Sequence, residues 1–282
     1  IFKIKFMSNL KLIEKNKNFN GFQCVYSHYS KSNKCEMRFS IYLPNTNKKL
    51  PVLYFLSGLT CTEQNFIQKS GMQKYASKEK IIIIGPDTSP RGNQVPDSKE
   101  SFLGKGAGFY LNATQIKWKK NYNMYDYITK ELPELVNKNF NVNIKKQGIM
   151  GHSMGGMGSL VCGALNKKIF KSISAFAPIC DPSKSAFSGN AFTKYLGKRN
   201  KQWNLYNPIE IFKKNKINNK ILIDQGLNDE FIKDLYLDDF IKICKKNNQK
   251  ILIRKHKDHG HGYYFISTFI KDHIKFHKKL LS

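Results

Sequence analysis

Short apolar runs alternate with longer amphipathic stretches along this chain, a pattern that predicts strands followed by helices. The candidate strands cover residues 38–43, 51–56, 80–85, 147–151, 171–176, 220–224 and 250–254. One of them contains Ile81-Ile82-Ile83-Ile84, β-branched throughout, which suits a central parallel strand buried on both faces. The candidate helices cover 72–78, 123–137, 156–166, 230–246 and 262–281. In the last of these, Tyr263, Ile266, Phe269, Ile270 and Ile274 share helical spacing. Strands alternating with helices predict an α/β fold, a mostly parallel central sheet with helices on both faces. Residues 181–207 have weak periodicity and read as a surface excursion or a partial cap. No repeat or long linker divides the chain, so residues 7–282 read as a single domain. Residues 1–6, ahead of Met7, read as an N-terminal extension.

Composition narrows the setting. A chain of 282 residues, 40% hydrophobic and 13% aromatic, can bury a substantial core. It has no apolar run long enough for a membrane span, so no membrane partner is expected. Its start is too short and too interrupted by lysine for a secretory signal, which favours a cytoplasmic location. Lys+Arg number 48 against 20 Asp+Glu, a formal charge of +28. The excess is spread along the whole length, as in Lys213-Lys214-Asn215 and Lys245-Lys246-Asn247-Asn248. Few aromatics interleave with it and no nucleic-acid-binding signature accompanies it, so compositional bias explains it better than a nucleic-acid partner. The positive field would still favour anionic small substrates. The cysteines at 24, 35, 61, 162, 180 and 244 form no C-x-x-C pair and resemble no zinc site. Free thiols in a reducing compartment are expected, with Cys162 and Cys180 as small core residues.

Candidate chemistry concentrates at Gly151-His152-Ser153-Met154-Gly155, between the apolar run Gly148-Ile149-Met150 and a helix of small residues. A serine on such a strand-to-helix turn has a strained backbone and an exposed hydroxyl, and the flanking glycines avoid clashes across the turn. This is the nucleophile-elbow pattern of the α/β-hydrolases. Serine needs a base, and the base an orienting carboxylate, in the chain order Ser, acid, His. Asp229 lies on the loop after the strand at 220–224, and His261 follows the next strand. Asp224 competes with Asp229 but sits within the strand, and Asp229 also reads as an ordinary helix cap. His256 and His259 compete with His261. The pair His259-Gly260-His261 lacks a third ligand, so neither a metal nor any other cofactor is expected. Two backbone N–H groups should form an oxyanion hole, that of Met154 and that of Leu59 on the loop after the strand at 51–56.

Several stretches together resemble the S-formylglutathione hydrolase (esterase D) family. They are Leu56-Ser57-Gly58-Leu59-Thr60-Cys61-Thr62-Glu63-Gln64-Asn65-Phe66-Ile67, Pro86-Asp87-Thr88-Ser89-Pro90-Arg91-Gly92, Gly106-Ala107-Gly108-Phe109-Tyr110, Gly151-His152-Ser153-Met154-Gly155-Gly156, Ser174-Ala175-Phe176-Ala177-Pro178-Ile179-Cys180, Asp224-Gln225-Gly226 and Tyr263-Tyr264-Phe265-Ile266. The resemblance runs from about Met7 to the C-terminus. It implies the α/β-hydrolase fold, the triad Ser153, Asp229 and His261, the oxyanion donors Leu59 and Met154, and hydrolysis of a glutathione thioester to glutathione and formate. One departure stands out: the family carries Asp-His-Ser before Tyr-Tyr-Phe, and here it reads Gly260-His261-Gly262. A two-residue slip would bring His259 to the family's histidine instead. Cys61 and Trp118 are candidate substrate contacts, Cys61 also a candidate redox control, and Lys69 and Lys117 candidate receivers of the glutathione carboxylates. A homodimer is expected by resemblance only. The alternatives are a general short-acyl carboxylesterase and a non-catalytic basic binding protein on a hydrolase scaffold.

Overall fold

The computed structural model describes residues 10–282. The N-terminal extension read at residues 1–6 lies outside the described residues. Nine strands form one sheet in the order β1-β2-β3-β5-β4-β6-β7-β8-β9. They are β1 (Lys11–Lys17), β2 (Gly21–Ser30), β3 (Cys35–Pro44), β4 (Leu50–Leu56), β5 (Ile82–Pro86), β6 (Val142–His152), β7 (Phe170–Phe176), β8 (Ile221–Gly226) and β9 (Ile251–His256). The pairs β1–β2, β2–β3 and β3–β5 are antiparallel. From β5 across to β9 every neighbouring pair is parallel.

Burial follows the expected logic. Every residue of β4 and of β5 is buried, as a strand with helices on both faces requires. Alternation along β7 shows the two faces directly. Ser172 and Ser174 hydrogen-bond histidines of the C-terminal helix Tyr263–Leu281, whereas the side chain of Ile173 lies against Gly163 of the helix Met154–Leu165. Ile81–Ile84 is buried as expected, but β5 is parallel to β4 on one side and antiparallel to β3 on the other.

Four features depart from the sequence reading. The antiparallel extension β1–β2 was not anticipated. β1 is exposed along its whole length, and β2 buries the polar residues Gln23, Ser27, His28 and Ser30, so neither shows an apolar run. The helices Glu63–Lys69, Ala186–Leu196 and Pro208–Lys214 also went unread. The helix expected over 123–137 contains a wide turn at Tyr127–Glu131. The helix expected over 230–246 is broken at Tyr236, whose φ of 54° and ψ of 35° separate Ile232–Leu235 from Leu237–Lys246. Among the described residues all six cysteines are free, with Cys162 and Cys180 fully buried. No helix among them is long and apolar enough to cross a membrane.

Candidate active site

The chain passes from β4 to β5 on one side of the sheet and returns to β6 on the other. Strand order reverses there, and in open α/β sheets the crevice beyond the strand ends at such a point receives ligands. Leu56, the last residue of β4, pairs with Gly151 near the end of β6. The loop 57–61 and the turn at Ser153 therefore emerge side by side.

Ser153 has φ 56° and ψ −117°, a conformation that side-chain-bearing residues rarely adopt. Three backbone hydrogen bonds hold it: its N–H donates to Phe176 O (3.0 Å), and its carbonyl accepts from Met157 N (3.0 Å) and Ile179 N (3.2 Å). The flanking glycines are needed for close approach. A Cβ on Gly151 would overlap the carbonyl of Gly155, and one on Gly155 would overlap the carbonyl of Leu56. Because both obstacles are backbone, Gly155→Ala is expected to cost about 3 kcal/mol or more. A denaturant midpoint unchanged from wild type would contradict this account of the turn.

The loops after β8 and β9 are stitched together. Leu227 N donates to His256 O and Asn228 N to His259 O, each at 2.9 Å. This brings Asp229 to His261, whose Nδ1 lies 2.7 Å from Asp229 Oδ2. Asp229 also accepts from Gln225 Nε2 at Oδ2 (2.9 Å) and from Phe231 N at Oδ1 (2.8 Å). Burial works against its ionisation, but these donors and the His261 charge outweigh burial and hold the carboxyl below its ordinary value. An ionised Asp229 fixes the proton of His261 on Nδ1, which leaves Nε2 as the acceptor. Ser153 and His261 both open onto one cavity of about 450 Å³. Among the described residues Ser153 Oγ makes no hydrogen bond, and in free enzymes such contacts are commonly long.

The competing residues are engaged elsewhere. The ring of His259 packs on Phe265 and Phe269, at 5.7 and 5.0 Å between centroids. His256 stacks on Phe269 at 3.7 Å and lies 3.4 Å from Asp224. Asp224 is fully buried and receives both Nε and Nη2 of Arg254, with His273 at 3.3 Å. Burial would raise its pKa, but His273 and Arg254 overcome this and bring it down to about 2. A depressed carboxylate stabilises the fold above its unfolded pKa and loses that contribution as pH falls through the folded value. Asp224 should thus contribute about 2–3 kcal/mol at neutral pH, lost between roughly pH 4 and pH 2. Asp224→Asn should flatten this part of the acid-unfolding curve; an unchanged curve would refute the assignment.

Above Ser153 lies the loop 57–61. Gly58, Leu59, Thr60 and Cys61 line the cavity, and a side chain on Gly58 would meet His152 Nδ1 at 3.0 Å. The N–H of Met154 belongs to the first turn of its helix, where no intrahelical acceptor exists. Residues quoted above only for their resemblance brace this loop. Tyr110 Oη donates to Ser57 O (2.8 Å), Thr60 N to Gly106 O (2.9 Å), and Thr88 Oγ1 and Arg91 Nη2 both donate to Cys61 O. Arg91 is itself anchored on Asp87 at 2.8 Å.

Other side chains were not singled out from the sequence. Phe102, Phe187 and Phe231 line the cavity, and the ring of Phe231 stands edge-on to His261 at 4.9 Å. Phe187 belongs to the segment read as a partial cap and supplies one wall. His152 lies 4.5 Å from His261 between ring centroids. Burial, helped by the His261 charge, drives its pKa down to about 3, so it is neutral beside His261. Isolated aromatics and an elbow histidine carry no pattern that sequence alone could assign to a site.

Cys61 lines the cavity with Sγ 3.9 Å from Tyr263 Oη. Burial raises its pKa, against the opposing effects of Tyr263 and Lys69, so the unreactive thiol predominates at neutral pH. Trp118 does not serve the expected contact. It is buried against Tyr122 and Tyr195, at 5.0 and 5.1 Å, and is absent from the cavity wall, so it packs the core. Lys117 covers Trp118 and donates to Asp97 O, away from the cavity wall. Lys69 lies 5.8 Å above the ring of Tyr263, which does line the cavity.

The sheet and the turn at its reversal are those of an α/β-hydrolase, and the protein is an enzyme of the hydrolase class. The chain belongs to the Putative esterase family, whose model matches residues 30–276. It is similar to an S-formylglutathione hydrolase from Agrobacterium tumefaciens, at 41% identity and a TM-score of 0.95, over 96% of this chain and 100% of that one. The resemblance read from the sequence motifs is thereby borne out. Two more distant structures share the fold. The fluorophosphonate-binding serine hydrolase F of Staphylococcus aureus is 21% identical with a TM-score of 0.73, covering 92% of this chain and 98% of that one. A ferulic acid esterase from Anaeromyces mucronatus is 20% identical with a TM-score of 0.67, covering 95% and 92%.

Proposed function

We propose that this protein hydrolyses S-formylglutathione to glutathione and formate through a formyl-serine intermediate. Ser153 attacks the thioester carbonyl while His261 Nε2 takes its proton. Asp229 holds the imidazole and stabilises its charged form. The tetrahedral oxyanion accepts hydrogen bonds from the N–H groups of Leu59 and Met154, donors that typically contribute about 10²–10³ in rate each. Collapse expels the glutathione sulfur, a good leaving group because its parent thiol has a pKa of about 8.5, and His261 passes the proton it took from Ser153 to that sulfur, which restores it as a base. Water, deprotonated by the same histidine, then releases formate. None of these steps calls on a cofactor.

The observation that carries this reading is the near-complete overlap, at 41% identity, with a protein named for that reaction. The pairing of His261 with Asp229 beside the strained Ser153 supports the chemistry. A second reading, a general short-acyl carboxylesterase, draws support from the cavity wall. Phe102, Phe187, Phe231 and Leu235 make it largely apolar, and among the described residues no lysine or arginine lines it. Comparing kcat/KM for S-formylglutathione and a short aryl ester separates the two. The thioester is expected to win by at least about tenfold, or 1.4 kcal/mol of transition-state stabilisation. An equal or lower value for the thioester would favour the carboxylesterase.

A further inference from the structure

The backbone around His261 does little to hold it. Glycines flank it at 260 and 262, and among the described residues neither its N–H nor its carbonyl bonds to another backbone group. Neither glycine is required where it stands. A Cβ on Gly262 would meet nothing within 4 Å, and the nearest atom to one on Gly260 would be Asn228 O at 3.6 Å, an ordinary contact. Gly262 has φ −81° and ψ −170°, which any residue adopts. Gly151 and Gly155 are the opposite case, since a Cβ on either would strike backbone. The glycines beside His261 therefore give the loop freedom and no fit. A base must still keep its ring close to the hydroxyl it deprotonates.

Side chains supply the restraint. Asp229 fixes Nδ1, but one hydrogen bond leaves the ring free to swing about that point. Two other rings pack on it, Phe231 at 4.9 Å and His152 at 4.5 Å between centroids. They differ in how firmly they are held. Phe231 sits on the loop after β8 and is 42% exposed. His152 is 7% exposed, pairs with Phe176 at the end of β6 and directly precedes Ser153. Its ring fills the space between His261 and Gly58 of the loop 57–61. Neither of its nitrogens makes a well-formed hydrogen bond, although the backbone of His261 lies near enough to favour a proton on the ring. A buried imidazole without partners is unfavourable, so an apolar side chain would suit the core better. What the ring does provide is contact with His261. Being neutral, it can lie against a ring that takes up positive charge during the reaction.

We propose that His152 is a positioning residue for His261, a rigid spacer that replaces the restraint its flanking glycines do not give. The proposal rests on the reading of His261 as the base and adds the residue that aims it. His152→Ala should lower kcat on a short aryl ester at least about a hundredfold, the size expected when a catalytic group drifts by an ångström. The same change could loosen the elbow, so a second set of substitutions restrains the loop from its other side. Gly260→Ala with Gly262→Ser, the serine also capping the helix Tyr263–Leu281, should change the wild-type kcat by less than about threefold and recover at least about tenfold in the His152→Ala background. Damage to the elbow would not be repaired from there. In the ¹⁵N-histidine-labelled full chain, the Nδ1 proton that His261 shares with Asp229 should broaden in His152→Ala and sharpen again in the triple variant. A kcat for His152→Ala within about threefold of wild type overturns the proposal. So does a loss that the glycine replacements leave unrepaired, or an Nδ1 proton that stays sharp in His152→Ala. His261→Ala run alongside separates the two failures: if it stays active, the base assignment itself has fallen. The aryl ester makes every outcome independent of the thioester assignment.

Discussion

Ser153→Ala is expected to lower kcat on the order of 10⁶-fold and to leave the protein folded. The size follows from the division of labour in the site. Without the hydroxyl no acyl-enzyme forms, and the imidazole held by Asp229 has no nucleophile to deprotonate. The oxyanion donors and substrate binding survive, so a residual rate of about 10³–10⁴ over water remains. The fold should tolerate the change because Ser153 is held through its backbone, at Phe176 O, Met157 N and Ile179 N, while Oγ makes no hydrogen bond among the described residues. Turnover of S-formylglutathione or an aryl ester, read beside the thermal unfolding midpoint, checks both halves. A folded variant with wild-type activity would end the serine mechanism.

The second large effect separates two neighbouring histidines. His261→Ala should cost kcat on the same order of 10⁶-fold, whereas His259→Ala should change it by less than about tenfold. Only His261 reaches the carboxylate of Asp229, at 2.7 Å. His259 turns its ring onto Phe265 and Phe269, and the contact it makes toward the site is a backbone one, its carbonyl accepting from Asn228 N. Loss of that ring should appear as a modest drop in stability, since an aromatic contact is removed from the base of the C-terminal helix. The reverse pattern, with His259→Ala inactive and His261→Ala active, would move the base two residues back along the chain.

Much of this molecule was legible from local pattern because local physics set it. Parallel strands buried on both faces must be largely apolar, so β4 and β5 announce themselves as short aliphatic and β-branched runs. The elbow is equally local: two glycines two residues either side of Ser153 are required by clashes within a single turn. Chain order then singled out Asp229 and His261 as candidates. The antiparallel strands β1 and β2 stayed hidden because one is wholly exposed and the other buries polar groups satisfied by distant partners, such as His28 on Tyr127 Oη. The helix Pro208–Lys214 carried a signal that went unused, an Asn207 cap followed by Pro208. No such signal marks the break at Tyr236.

What sequence alone determined, then, is the α/β class, the strained turn with its candidate nucleophile, and the short list of candidate acids and bases. Tertiary structure decided which of them lie together. Asp224 and Asp229 differ by five positions, yet one is paired with Arg254 and the other with His261, because β9 carries Arg254 within the sheet while His261 lies beyond the strand's end. It also explained why Pro86–Gly92 and Gly106–Tyr110 matter: they hold the carbonyls of Ser57 and Cys61 and so brace the loop beside Ser153. Removal of Trp118 from the substrate wall was decided in the same way. Contacts between residues tens of positions apart depend on how strands are ordered and loops are stitched, which no local pattern encodes.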